Sequence, residues 1–230
     1  INMLYIVGTP IGNMEDLSIR QAKTITSAEI IVTEDTRSTG MVLKRIEELF
    51  GLKKHHECRL ISYYQEKEFE KLPEIMLLLE EGKEMVLMSE SGMPLISDPG
   101  YLLVKEVIKR KIPYTVIPGP TAVVTALAHS GIKLNHFTFF GFLPRKKGHV
   151  NKVLLKAKDI SLLLDHSPVV FYESANRLNE TLVLLATIAP NAQVCVCREL
   201  TKMYEEIMRG TPKELSEQKF RGEIVLVVSF

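Results

Sequence analysis

Met3-Leu4-Tyr5-Ile6-Val7-Gly8-Thr9-Pro10-Ile11-Gly12-Asn13 is the stretch whose reading decides the fold. The apolar run 3–7, closed by Gly8, has the length and bounds of a buried strand. Residues 8–13 then form a tight loop, and Leu17, Ile19, Ala22 and Ile25 recur behind it at helical spacing. Strand, Gly-rich loop and helix open an α/β domain, whose ligands sit beyond the carboxyl ends of parallel strands. The loop is not a dinucleotide fingerprint. Gly8 and Gly12 stand four apart, and Pro10 removes an N–H that a phosphate cradle needs. No Lys follows the second glycine, so it is not a P-loop either. Two readings stay open for it: close backbone approach to a ligand not held by phosphates, or a plain turn from strand to helix.

Working outward, the same alternation continues. Strands are expected at 29–33, 60–62, 84–88 and 113–117, with helices at 39–50, 68–81, 100–110 and 121–130. In the helix at 68–81 the apolar side is read as Phe69, Leu72, Ile75, Met76 and Leu79. Alternating strands and helices imply a parallel sheet with covering helices. The stretch 131–136, with Gly, Lys and Asn, breaks the pattern and sets an expected boundary between domains 1–132 and 133–230. Beyond it, strands are expected at 137–140, 168–172, 193–197, 205–210 and 223–229, with helices at 150–164, 177–188 and 212–218. Strands outnumber helices there, which implies a mixed sheet.

Composition bounds the function. The formal net charge of +1 excludes a global basic field, so any nucleic-acid contact must come from a local patch. Three cysteines without framework spacing imply a reducing compartment. Cys195 and Cys197 alternate within a strand and are expected as buried side chains on one face. Cys58 beside His55-His56 is the nearest approach to a ligand set and lacks zinc spacing, so no metal is expected. No apolar run reaches the length of a membrane span and no signal-peptide pattern is present, so the expectation is a cytoplasmic enzyme that does not contact membrane. Ile1-Asn2 ahead of Met3 reads as an expression remnant.

Charged or Gly/Pro-rich clusters follow nearly every expected strand. Each has a plain reading as a helix cap: Asp35 or Ser38 for one helix, Asp98 with Pro99 at the first helical position for another. Their shared position, at the ligand edge of an α/β sheet, is the functional signal.

The clusters also carry a resemblance. Gly-Thr-Pro-Ile-Gly-Asn at 8–13, Glu-Asp-Thr-Arg at 34–37, Ile-Ser-Asp-Pro-Gly at 96–100 and Pro-Gly-Pro-Thr-Ala at 118–122 come first. Phe-Phe-Gly-Phe-Leu-Pro-Arg-Lys-Lys-Gly at 139–148, Phe-Tyr-Glu-Ser at 171–174 and Arg-Glu-Leu-Thr-Lys at 198–202 follow. In this order, from Met3 to Phe230, they resemble the tetrapyrrole methylase family, and within it the branch that methylates a cytidine 2′-hydroxyl of 16S ribosomal RNA. The resemblance implies two α/β domains with S-adenosylmethionine in the cleft between them, and a homodimer acting on the assembled small ribosomal subunit. It implies that Gly8, Thr9, Pro10, Gly12, Ser89, Glu90, Ser91, Gly92, Met93, Pro94, Thr121 and Ala122 hold the donor. A donor without phosphates suits a Pro-interrupted loop.

A 2′-hydroxyl is a poor nucleophile, so a carboxylate that accepts its proton is expected among Asp35, Glu34 and Glu173, with Asp35 preferred. Arg37, Arg177 and Lys202 are expected to pair with those carboxylates or bind phosphate. Arg145, Lys146 and Lys147 are expected on an exposed loop that meets RNA. The chain also departs from the family. Ser89-Glu90-Ser91-Gly92-Met93-Pro94 stands where Ser-Asp-Ala-Gly-Thr-Pro is usual, and histidines are missing near Tyr63-Tyr64-Gln65 and at Ala175-Asn176. Two alternatives follow: a methyltransferase for an acidic tetrapyrrole, and a module that binds RNA or donor without turnover.

Overall fold

The computed structural model describes residues 3–230, so the reading of Ile1-Asn2 lies outside the described residues. The chain forms two compact units, one ending at Thr121 and one running from Ala122 to Phe230.

The first unit runs β1 (Leu4–Val7), α1 (Ile19–Ser27), β2 (Ile30–Thr33), α2 (Thr36–Phe50), β3 (Arg59–Ser62), α3 (Glu68–Glu80), β4 (Met85–Met88), α4 (Tyr101–Lys109) and β5 (Tyr114–Ile117). Its strands are all parallel, in the order β3-β2-β4-β1-β5. The inner strands β2 and β4 are buried along their whole length, as their unbroken apolar runs require. Alternation sorts the side chains into two layers. Leu4, Ile6, Val32 and Leu87 pack with Ile75, Met76 and Leu79 of α3 and Leu103 and Val107 of α4. Val7, Ile31, Val86 and Met88 pack with Ala22 and Ile25 of α1 and Val42 and Ile46 of α2.

The strand order also makes a switch point. From β1 the chain crosses past β4 to reach β2, and from β4 it crosses past β1 to reach β5. Neighbours β1 and β4 therefore send their connections in opposite directions, which opens a crevice beyond their carboxyl ends.

Two apolar residues depart from the expected faces. Phe69 is 79% exposed, because it sits in the first turn of α3, roughly 70° from the centre of the buried stripe at 3.6 residues per turn. Ile19, the first residue of α1, is 58% exposed. The boundary of α2 also moves: the helix starts at Thr36, because Asp35 caps it.

The second unit runs α5 (Ala122–Ser130), β6 (Thr138–Phe142), α6 (Lys147–Leu163), β7 (Val169–Ser174), α7 (Ala175–Ile188), β8 (Gln193–Arg198), β9 (Glu206–Gly210), α8 (Pro212–Ser216) and β10 (Glu223–Ser229). The sheet order is β6-β7-β10-β8-β9, with only β6 and β7 parallel, so the sheet is mixed. One face carries Val169, Phe171, Val194, Val196 and Leu226 against Leu154 of α6 and Leu178, Leu182 and Leu185 of α7. The other carries Cys195 and Cys197, both buried, with sulfurs 3.6 Å apart and the Cys197 thiol directed at the Ala126 carbonyl of α5. Lys147 opens α6, so the basic run is two residues of connection and the first of the helix rather than a loop throughout.

Candidate active site

The loops after β1 and β4 meet across the switch point. The Thr9 N–H donates to the Gly92 carbonyl at 2.8 Å, and the Gly92 N–H returns to the Thr9 carbonyl at 3.2 Å. The Thr9 hydroxyl, fully buried, lies 3.3 Å from the Ser89 carbonyl, and the Ser89 hydroxyl donates to the Gly92 carbonyl at 3.0 Å. Gly92 turns this loop at φ +83°, a conformation that favours glycine. The loop after β5 closes on the same edge. A Cβ on Gly8 would stand 2.9 Å from Gly119 Cα and 2.6 Å from the Met93 sulfur. Gln21 completes the corner: its amide donates to the Gly8 carbonyl at 2.6 Å, and its carbonyl oxygen serves the capping box of Ser18 on α1.

These contacts define what the loops can hold. Gly8 and Gly119 are glycines because two backbones touch there. The N–H groups of Gly8, Thr9 and Gly92 are spent on Ile117, Gly92 and Thr9 carbonyls, and Pro10 has none. Those three N–H groups are therefore not free to cradle a phosphate. Of the residues expected to hold a donor, Gly8, Thr9, Pro10, Ser89, Gly92 and Pro94 are buried, Met93 is half-buried, and Gly12, Glu90 and Ser91 are exposed. Thr121 closes the first unit, and Ala122 opens α5 in the second.

The edge is acidic. Burial pushes the Glu34 carboxyl above its ordinary range, and repulsion from Glu90 and Glu66 adds to it. Asp98 is pushed up to about 6, first by burial and then by Glu34 and Glu90. Its expected role as a helix cap is not realised. Gly100, at φ +122°, turns the chain ahead of α4, so Pro99 never enters the first turn. The carboxylate that serves this corner is Glu68, which accepts the Gly100 N–H at 2.6 Å. Asp98 is thus a site residue that sequence reasoning placed in another role. The available signal was an Asp in a Ser- and Pro-rich loop after a central strand.

The remaining expected residues divide into engaged and free. Asp35 is the N-cap of α2 and accepts the Arg37 N–H at 2.7 Å, while the Arg37 side chain is exposed. Glu173 is buried and committed. It pairs with Arg177 at 2.5 Å, accepts the Thr181 hydroxyl at 3.0 Å and accepts the Ser174 N–H at 2.7 Å. Arg177 also donates to the Pro144 carbonyl at 2.8 Å and the Leu143 carbonyl at 3.2 Å, which ties the connection after β6 to α7. Lys202 pairs with Glu223 at 2.9 Å and Glu199 at 3.5 Å. Burial opposes its charge, but those carboxylates outweigh it and hold the ammonium above its ordinary range. Arg145, Lys146 and Lys147 are exposed. Among the described residues no group of His, Cys, Asp and Glu is placed to hold a metal ion.

An edge rich in carboxylates, whose first loop spends the N–H groups of Gly8 and Thr9 on backbone and has none at Pro10, suits a cationic ligand not held by phosphates. S-adenosylmethionine, with its sulfonium, fits that donor set.

Known proteins are similar to this chain along nearly its whole length. Ribosomal RNA small subunit methyltransferase I of Hydrogenobaculum sp. (strain Y04AAS1) is 40% identical over 234 residues, covering 98% of this chain and 95% of its own. The protein of the same name from Thermotoga maritima is 40% identical over 230 residues, covering 98% and 97%. Among solved structures, uroporphyrin-III-C-methyltransferase from Thermus thermophilus superposes with a TM-score of 0.65 at 18% identity, covering 100% of this chain and 94% of that one. Diphthine synthase does so with a TM-score of 0.68 at 13% identity, covering 99% and 89%. At those identities the two structures speak to the fold alone. The family model described as Tetrapyrrole (Corrin/Porphyrin) Methylases matches residues 3–216, and the chain belongs to that family.

Proposed function

We propose that this protein transfers a methyl group from S-adenosylmethionine to RNA of the small ribosomal subunit, at the 2′-hydroxyl of a cytidine. The observation that carries the reading is likeness at 40% identity over 98% of the chain to proteins named for methylating small-subunit ribosomal RNA. The switch-point loops supply the donor side. When bound there, the donor presents a methyl on a positively charged sulfur. Residues 8–10, 12 and 89–94, with Thr121 and Ala122, hold it. Glu34, Glu90 and Asp98 supply negative potential beside the sulfonium.

For the acceptor, the chain must bring a hydroxyl into line with the methyl and take its proton. Positioning alone can contribute up to ~7–11 kcal/mol in the best-oriented cases. Among the three carboxylates expected as base, Glu34 is the one whose oxygens are not committed, and burial beside Glu90 and Glu66 makes it a stronger proton acceptor than an ordinary carboxylate. Asp35 is a cap whose acceptor capacity is partly used, and Glu173 is enclosed by Arg177 and Thr181. Arg37, Arg145, Lys146 and Lys147 meet phosphate, whereas Arg177 and Lys202 hold the fold around them. The enzyme acts in the cytoplasm, as a homodimer, on the assembled small subunit.

Mapping 2′-O-methyl marks on small-subunit RNA from cells with and without the protein tests the reading directly. One cytidine should lose its mark. An unchanged map, with purified protein that binds donor but methylates no RNA, would sink the assignment. Single-turnover rates of Glu34→Gln and Asp35→Asn test the base. A general base contributes ~10²–10⁴-fold, and that loss of rate, measured at saturating donor, is expected for Glu34→Gln. The same loss in Asp35→Asn alone would return the role to Asp35.

A further inference from the structure

We propose that Phe142, backed by Tyr172 and Phe139, is a stacking platform for an unpaired RNA base beside the basic run. The inference rests on the RNA reading above and adds a recognition element to it.

The platform originates in a register slip. Along β6, Thr138 and Phe139 face Val169 and Val170 of β7, but Phe142 faces Tyr172, so three steps on β6 span two on β7. That is one extra residue, a β-bulge, with Gly141 at φ +70° accommodating it. Strict alternation would send Phe142 to the same face as Phe140, which packs inward on Phe171 at a ring distance of 5.3 Å. The extra residue reverses that parity. Phe142 joins Phe139 on the opposite face, and both lie against Tyr172, at 5.1 and 5.0 Å. Phe142 is 65% exposed at the carboxyl end of the strand.

The ring leaves apolar surface in water that folding has not buried, and its neighbours specify an occupant. Arg145, Lys146 and Lys147 follow within five residues, all exposed. The Arg177 side chain pins the intervening carbonyls of Leu143 and Pro144, so the ring and the cations are held in fixed relation. Aromatic ring plus adjacent cations is the composition that single-stranded nucleic acid recognition uses. Bases stack on the ring and phosphates meet the cations. A base held on Phe142 would keep the strand splayed beside the cations.

The test is fluorescence anisotropy with transcribed 16S ribosomal RNA, titrated over a salt series against wild type, Phe142→Ala, Phe142→Trp and the triple variant Arg145→Ala/Lys146→Ala/Lys147→Ala. Phe142→Ala should weaken binding about 5- to 150-fold with the salt slope unchanged, because stacking is not electrostatic. Phe142→Trp should restore the affinity. The triple variant should flatten the slope by about 0.7 per lost contact on single strands. Donor affinity, read by calorimetry, should match wild type in all three variants. Equal RNA affinity of wild type and Phe142→Ala overturns the platform and leaves the RNA reading standing. So does a shift in oligomeric state of Phe142→Ala by sedimentation that accounts for its loss, because the ring would then belong to a contact between copies. No RNA binding by wild type overturns both.

Discussion

At the scale of single residues, the site is a matter of which polar groups are left uncommitted. Asp98 has its carboxyl pushed up to about 6 from an ordinary 3.8, so the folded state binds its proton more tightly than the unfolded state does. Its effect on stability is most favourable below about pH 4 and is lost as the pH rises through about 6. Asp98→Asn should therefore raise the melting temperature at pH 7.5 and leave it near wild type at pH 4. A variant equally stabilised at both pH values would mean that charge is not the cause. Arg177 makes the opposite case. The side chain of its partner Glu173 is fully enclosed, so Arg177→Ala leaves a buried carboxylate without its cation. Such breaks cost about 3–5 kcal/mol, which urea denaturation would register. A loss under 1 kcal/mol would show the pair to be dispensable. The sequence disclosed one of these roles only in part and the other not at all. Asp98 next to Pro99 has every mark of a cap, and only the left-handed turn at Gly100 disqualifies it. Glu173 read as a candidate base, and Arg177 as pairing with such a carboxylate or binding phosphate; the pair is what forms, and its enclosure by Thr181, Leu143 and Pro144 is set by the fold.

At the scale of elements, sequence periodicity carried further. Strand β4, apolar throughout, strand β2, apolar up to Thr33, and helices α2, α3 and α7 fall where spacing and end signals place them, to within a few residues. What spacing could not reveal was how loops are fastened. The segment between β4 and α4 carries four residues with positive φ, Gly92, Leu95, Ser97 and Gly100, and Glu68 at the start of α3 fixes its far end. A hydrogen bond to a charged group contributes about 1.5–3 kcal/mol. Glu68→Ala should loosen this segment, lowering donor affinity with little change in the secondary-structure signal. Calorimetry on the variant decides it, and unchanged donor affinity would remove Glu68 from the donor-holding framework. The bulge in β6 was equally hidden, since Phe-Phe-Gly-Phe admits either parity until the pairing with β7 is known.

For the molecule as a whole, alternating strands and helices made a parallel sheet legible but not the order β3-β2-β4-β1-β5, because several orders satisfy the same alternation. That order brings the loops of β1 and β4 together, so donor binding should stabilise the first unit as a body. At a hundredfold excess of free donor over its dissociation constant the gain should be about 2.7 kcal/mol. A melting temperature indifferent to donor would contradict binding to the folded state. The insertion of β4 between β1 and β2 has a further consequence, for a chain still being synthesised. The first two strands have no mutual pairing to make. They must wait with open edges for residues 85–88, several seconds later at about 5–20 residues per second. Open strand edges invite association with other chains. Nascent fragments ending before Met85 should therefore depend on chaperones and aggregate when released, and lengthening the chain past Met88 should bring the first sharp rise in protease resistance.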